Sequence, residues 1–213
     1  MRSTPFRYPK TRHARAEKPP TFSNYKRFKP YLQREFEHKC VYCRMPDTMK
    51  GAETFGVDHY QPKGRFPKLE VEYRNLYYSC NPCNSRKKEF WPSTSQRRRG
   101  IFIPNPCDHR MFEHLRFRGE RVARHSEAGH WTKELLDLND PEVVSYRQFM
   151  HDMIAQCQGR LAELRKTLRD IDGRSAAAGD DPSAELTAAR EQIQGDVDRI
   201  DGHLGRLLGD PRT

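Results

Sequence analysis

Two Cys-x-x-Cys pairs, Cys40/Cys43 and Cys80/Cys83, bracket an adjacent Asp58 and His59, and two asparagines, Asn75 and Asn84, flank the second pair. Four thiols suit a closed tetrahedral zinc site, with each sulfur bound as thiolate. One pair alone would fit a redox motif or simple burial. Two pairs separated by 36 residues exceed zinc-finger spacing and point to a metal that clamps the ends of an insert. The Asp, His and Asn side chains form a second and different donor set. Carboxylate and amide oxygens suit a hard cation such as Mg²⁺, and neutral imidazole takes a proton from water near neutral pH. An activated water and a cation that bears developing charge are what phosphodiester hydrolysis requires.

The elements that must position these groups follow from local pattern. Residues 54–60 and 74–79 read as strands. Gln61 to Leu69, with Pro62, Gly64 and Pro67, reads as a loop, and a short basic helix follows from Pro82 to about Phe90. Asp58 and His59 would point to opposite faces of a regular strand, so the strand is expected to bend or end there. A short helix over Tyr31–His38 leads into the first cysteine pair. Residues 92–100 read as a polar, basic linker, and a strand pair is expected near Leu115–Phe117 and Arg121–Ala123. Asp140-Pro141 is a helix start, with Asp as N-cap and Pro in the first turn. The helix should run to about Ile171, break over Gly173–Asp180, and restart at Asp181-Pro182. Leu161, Leu164, Leu168 and Ile171 form one apolar stripe; Leu186, Ile193, Val197, Ile200, Leu204 and Leu207 form another. The two helices are expected to pair as an antiparallel hairpin.

Val57-Asp58-His59-Tyr60-Gln61-Pro62-Lys63, Asn75-Leu76 and Cys80-Asn81-Pro82-Cys83-Asn84-Ser85-Arg86-Lys87 resemble the HNH endonuclease family in its zinc-bearing ββα-metal form, over roughly residues 36–92. The resemblance implies that His59 is the general base. It implies that Asp58 and Asn84 hold the catalytic divalent cation, and that Asn75 fixes the loop carrying His59. The third letter of the motif is Asn84, and Lys88 stands four residues later, where some members place a second His. That departure favours Mg²⁺ or Mn²⁺ held by oxygens over a histidine-rich transition-metal site. The stretch from Ile103 to Asn139 is similar to bacterial HNH proteins of phage-defence loci, such as the Septu-type nuclease subunit, which works with an ATPase partner.

Charge supports a nucleic-acid partner. Residues 1–100 hold 23 Lys/Arg and 9 Asp/Glu, whereas the remaining residues hold 16 and 20. A basic half that also carries the motif fits a polyanion, most simply DNA. Lys63, Arg65, Arg86, Lys87 and Lys88 are the candidate phosphate contacts. The residues around Cys107, including His109 and His114, read as ordinary packing. No signal peptide and no membrane-spanning stretch is visible, so a reducing cytoplasmic location is expected, where paired Cys-x-x-Cys motifs favour metal over disulfides.

The expected fold class is α+β: a ββα-metal HNH core with structural zinc, followed by a mainly helical C-terminal extension. The expected divisions are a basic N-terminal arm (1–30), the nuclease domain (31–100), a mixed extension (101–140) and a helical hairpin (141–213). The arm is read as a disordered tail, or as a strap over nucleic acid or over the domain. The hairpin is read as an interaction region for an ATPase subunit or a second copy of the chain, the alternative being that it folds back on the nuclease core. The competing reading is a zinc-stabilised nucleic-acid-binding adaptor without catalysis.

Overall fold

A computed structural model describes residues 4–177 and 183–210. Strand β1 (Phe55–His59) pairs antiparallel with β2 (Leu76–Cys80), placing Asp58 opposite Tyr77 and His59 opposite Leu76. All five residues of β2 are buried. Helix α1 (Lys29–Glu35) covers this strand pair through Leu32, while Phe36, just beyond the helix, stacks near Tyr77. Helix α3 (Asn81–Lys87) follows β2 directly. Pro82 stands in its first turn, where a missing N–H costs nothing. A one-turn helix, α2 (Asp47–Lys50), lies between the first cysteine pair and β1.

The basic N-terminal segment packs on the domain. Phe6 and Tyr8 are buried, and Tyr8 donates a hydrogen bond to the Tyr42 carbonyl. Glu35 holds the next stretch, accepting from the Ala16 and Glu17 amides and contacting His13. The guanidinium of Arg15 sits against the rings of Phe36, Tyr73 and Tyr77 and donates to the Leu76 carbonyl. Of the three readings of this arm, the strap over the domain is the one observed.

Residues 92–100, expected as a linker, instead contain a helix, α4 (Thr94–Arg98). Ser93 and Gln96 form a capping box, each side chain bonding the other residue's backbone N–H. The next elements are α5 (Met111–His114), the β3–β4 hairpin (Leu115–Arg118 and Arg121–Arg124) and α6 (Glu127–Leu135).

Helix α7 (Pro141–Ala177) begins at the expected start but runs through Gly173. One glycine costs a helix only about 1 kcal/mol relative to alanine, too little to stop so long an element. The expected restart at Asp181-Pro182 lies outside the described residues. Helix α8 (Ala184–Leu208) runs back along α7. Leu161, Leu164, Leu168 and Val197 form a small second core, with Ile193, Ile200 and Leu204 packed against it.

The first turns of α7 belong to the main core, which contains Met150 together with Leu115, Val122, Leu136 and Leu138. The end of α8 returns to the cysteine lobe, where Thr48 donates to the Arg206 carbonyl. Gly209 closes α8 in the left-handed conformation, φ 78°, which glycine adopts without strain. Among the described residues, no helix is long and apolar enough to cross a membrane.

Candidate active site and metal centre

The four cysteines converge from two knuckles. Cys40 and Cys43 lie on a turn closed by the Cys40 N–H to Met45 and the Arg44 N–H to Cys40, with Arg44 in the left-handed region. The Val41 N–H bonds the Tyr78 carbonyl and fixes this turn to β2. Cys80 ends β2, and Cys83 lies in the first turn of α3. All four are buried, and their sulfurs lie within 4.8 Å of one another. Cys43 and Cys80 sulfurs are 3.6 Å apart, close to the roughly 3.8 Å edge of a tetrahedron with Zn–S bonds of about 2.3 Å. Hydrogen bonds from Cys40, Cys80 and Cys83 pull Cys43 well below the usual thiol range, while those with Cys40, Cys43 and Cys80 push Cys83 well above it. Four thiolates cannot coexist here without a cation. The cluster can therefore hold a structural metal such as zinc.

Asp58 is 2% exposed and Lys87 is 2% exposed. The Lys87 ammonium lies 3.0 Å from Asp58 Oδ1 and 2.6 Å from the His59 carbonyl. Tyr42, inside the first cysteine pair, donates to Asp58 Oδ2 at 2.5 Å. Burial, and then the Asp58 charge, push the Tyr42 hydroxyl well above its ordinary value, so it stays a donor. Lys87, expected on an exposed phosphate-binding face, is thus buried as the counter-ion of Asp58. It is the last residue of α3, and its side chain reaches back under the β1–β2 hairpin.

His59 takes separate partners, as alternation along a strand requires. No bend is needed to account for the pair: His59 is the last ladder residue, and the two side chains do not share a partner. The His59 Nε2 lies 2.9 Å from the Glu70 carbonyl. A carbonyl only accepts, so Nε2 carries the proton and Nδ1 is the free acceptor. Burial lowers the His59 pKa below 6.5, outweighing the Glu70 bond and the Asp58 charge. The ring of Tyr25 meets the imidazole edge-on, with centroids 4.6 Å apart.

Asn75 is 6% exposed. Its amide donates to the Gln61 and Leu69 carbonyls, and its oxygen accepts from the Gln61 N–H. These bonds tie both ends of the loop that follows His59. Asn84 lies near β1: a Cβ built on Gly56 would be 3.8 Å from its Nδ2. Gly56 is two residues before Asp58, so Asn84 and Asp58 belong to one side of the hairpin.

The remaining basic candidates are dispersed. Lys63 is exposed, pairs with Glu70 at 3.3 Å and sits over the Tyr25 ring. Arg65 donates to the Trp91 carbonyl, and Lys88 is exposed. Arg86 pairs with Asp140 and Asp137, which ties α3 to the helical part and occupies its guanidinium. Exposed Arg98 and Arg99 add to the basic surface at α4.

Three participants escape a reading of residue types. Tyr42 is hidden inside the cysteine motif, Glu70 acts through its backbone, and Tyr25 comes from a distant segment. His109 and His114 are hydrogen-bonded to each other, and His114 to Ser126; among the described residues they join no larger metal-ligating group.

No family model matches the chain, and no solved structure matches it. The chain is similar to the Septu protein PtuB of Bacillus thuringiensis, with 29% identity over 128 residues. The match covers 57% of this chain and 46% of that protein, so it spans about half the length of this curated relative.

Proposed function

We propose that the protein is a metal-dependent endonuclease of HNH type that hydrolyses phosphodiester bonds of nucleic acid, most simply DNA. The likeness to a Septu protein supports a place in an anti-phage defence system, with this chain as the cutting component. The observation that carries the reading is His59. Its Nε2–H is committed to the Glu70 carbonyl and its Nδ1 is left to accept a proton, on a hairpin clamped by four buried cysteines. His59 takes the proton from a water as that water attacks phosphorus, and the Glu70 bond stabilises the imidazolium that forms. Asn75 keeps the loop carrying Glu70 in register. Products carry 5′ phosphates.

Asp58 and Asn84 would hold Mg²⁺ or Mn²⁺, whose chemistry is to stabilise charge on the scissile phosphate and the leaving 3′ oxygen. The oxygen donors suit a hard cation. A cation there competes with the Lys87 ammonium for Asp58 Oδ1. Lys63, Lys88, Arg65, Arg98 and Arg99 supply phosphate contacts. The α7–α8 arm, which has a small core of its own, is the surface for a protein partner, an ATPase subunit or a second copy.

Plasmid cleavage with Mg²⁺ or Mn²⁺ tests the reading. His59→Ala should lose on the order of 10²–10⁴-fold in rate with zinc content unchanged. A His59→Ala protein that cuts like the wild type removes the assignment. The second reading, a zinc-stabilised nucleic-acid adaptor without catalysis, is favoured by one feature: both Asp58 oxygens are already engaged, by Tyr42 and Lys87. In that case the wild type binds DNA in a gel-shift assay and leaves it intact with either metal.

A further inference from the structure

The N-terminal segment reaches the site through Tyr25, and nothing in the motif calls for it. Tyr25 opens a 3₁₀ turn (Tyr25–Phe28) that runs directly into α1. The turn is anchored by Phe28, which is buried and packs against Phe22 and Tyr73. The Asn24 side chain caps it by accepting from the Lys26 N–H. Tyr25 is therefore carried on a rigid element. Its ring meets the His59 imidazole at 68° with centroids 4.6 Å apart, in the edge-to-face range favoured by aromatic pairs. The Lys63 ammonium lies 4.8 Å above the same ring and pairs with the Glu70 carboxylate. The backbone of Glu70 in turn holds His59 Nε2. His59, Glu70, Lys63 and Tyr25 thus form a closed circuit.

One hydrogen bond fixes only one atom of an imidazole: the ring can still swing about it, and once the bond breaks the other tautomer is open to it. A second contact against the ring removes that freedom. We propose that Tyr25 is a positioning residue for His59, clamping the imidazole against the Glu70 carbonyl so that Nδ1 keeps one orientation toward the attacking water. The inference rests on the nuclease reading for its catalytic consequence. The clamp itself is a statement about ring geometry. The N-terminal arm is then part of the active site.

The test uses the full-length, zinc-loaded protein. Tyr25→Ala should lower kcat for plasmid cleavage about 10–100-fold, because small misplacements of a catalytic group have effects of that size. KM should change little. Tyr25→Phe, which keeps the ring, should restore the wild-type rate. Long-range ¹H–¹⁵N correlation of the histidine rings, with His59 assigned by its absence in His59→Ala, should show the Nε2–H tautomer in wild type and Tyr25→Phe. It should show exchange between tautomers in Tyr25→Ala and in Tyr25→Leu, which keeps an apolar side chain but no ring. A Tyr25→Ala enzyme that cuts as fast as wild type or faster, with the single tautomer retained, overturns the clamp and makes the ring a cover over the base. Tyr25→Phe as impaired as Tyr25→Ala overturns it too, by shifting the role to the hydroxyl. If the wild type does not cut at all, the nuclease reading fails, and the tautomer comparison alone decides the clamp.

Discussion

The cysteine lobe and the α7–α8 arm are held together by different physics. In the lobe, the side chains that matter are buried and polar: Asp58, Lys87, Tyr42, Asn75 and Glu35 each meet named partners, and four thiols share one centre. Removing one partner there leaves an uncompensated buried group. In the arm, a thin stripe of leucines, isoleucines and a valine joins two long helices, and the polar contacts are exposed ion pairs such as Arg165–Asp201 and Arg190–Asp172. Such pairs contribute little each. The contrast teaches where single substitutions are felt: sharply and non-additively in the lobe, weakly and additively in the arm.

The strongest way to break the comparison is to remove the metal. Cys83→Ser should cost most or all of the lobe's stability, since metal binding and folding are one equilibrium at such sites. Elemental analysis should find about one zinc per chain in wild type and much less in the variant. Circular dichroism should retain a helical signal from the arm after the aromatic tertiary signal has gone. Equal loss of both would show that the arm depends on the lobe.

Next comes the buried ion pair. Lys87→Met should destabilise the protein by about 3–5 kcal/mol, the usual cost of stranding a buried charge. Mg²⁺ should recover part of that loss in a thermal melt, because the vacated place beside Asp58 then accepts a cation. Full stability without any divalent ion would mean that Asp58 has no need of a counter-charge.

The strap gives a smaller, pH-dependent effect. Burial alone would raise the Glu35 carboxyl, but the Ala16 amide, the Tyr73 hydroxyl and the Arg15 charge outweigh it, and its pKa lies below the ordinary 4.5. A lowered carboxyl stabilises the fold fully above pH 4.5 and loses that contribution as pH falls through its own value. Glu35→Gln should cost about 1–3 kcal/mol near neutral pH and flatten the acid limb of the melting profile. An unchanged acid limb would remove Glu35 from the account of the strap.

The smallest effect belongs to the arm. Arg165→Ala should shift stability by about 0.2–1 kcal/mol and more weakly still in high salt. A loss above 2 kcal/mol would blur the contrast between the regions.

What the residues disclosed in advance follows the same divide. β1, β2 and α3 were legible because the chemistry-bearing residues sit at fixed offsets within them, and the β3–β4 hairpin was legible from its short apolar runs. The stripes of α7 and α8 were legible from period alone. The capping box at Ser93 and Gln96 starts a helix inside a stretch whose polar, basic composition reads as linker. The break expected over Gly173–Asp180 does not begin at Gly173, since α7 runs on to Ala177 and one exposed glycine takes only about 1 kcal/mol from a helix; the rest of that stretch lies outside the described residues. Glu35, Lys87 and Tyr25 were not legible as site-builders. Their partners lie 18 to 38 residues away, some of them backbone atoms, and composition carries no trace of that. The strand was expected to bend or end at Asp58-His59, and it ends there: His59 is the last residue of β1, and each side chain has its own partners.

The return of α8 to Thr48 spans 158 residues of chain, and it bears on how the molecule is made. Such a contact adds nothing until both ends exist, and distant pairings slow folding because loop closure must come first. At roughly 5–20 residues per second of synthesis, Thr48 waits about 8–30 s for Arg206 to be added. During that interval the cysteine knuckles, β1 and β2 can already bind metal, but the surface around Thr48, Lys39 and Pro46 stays open. The clamped hairpin therefore emerges first and the arm closes over its edge last, which makes the finished lobe a late product of translation.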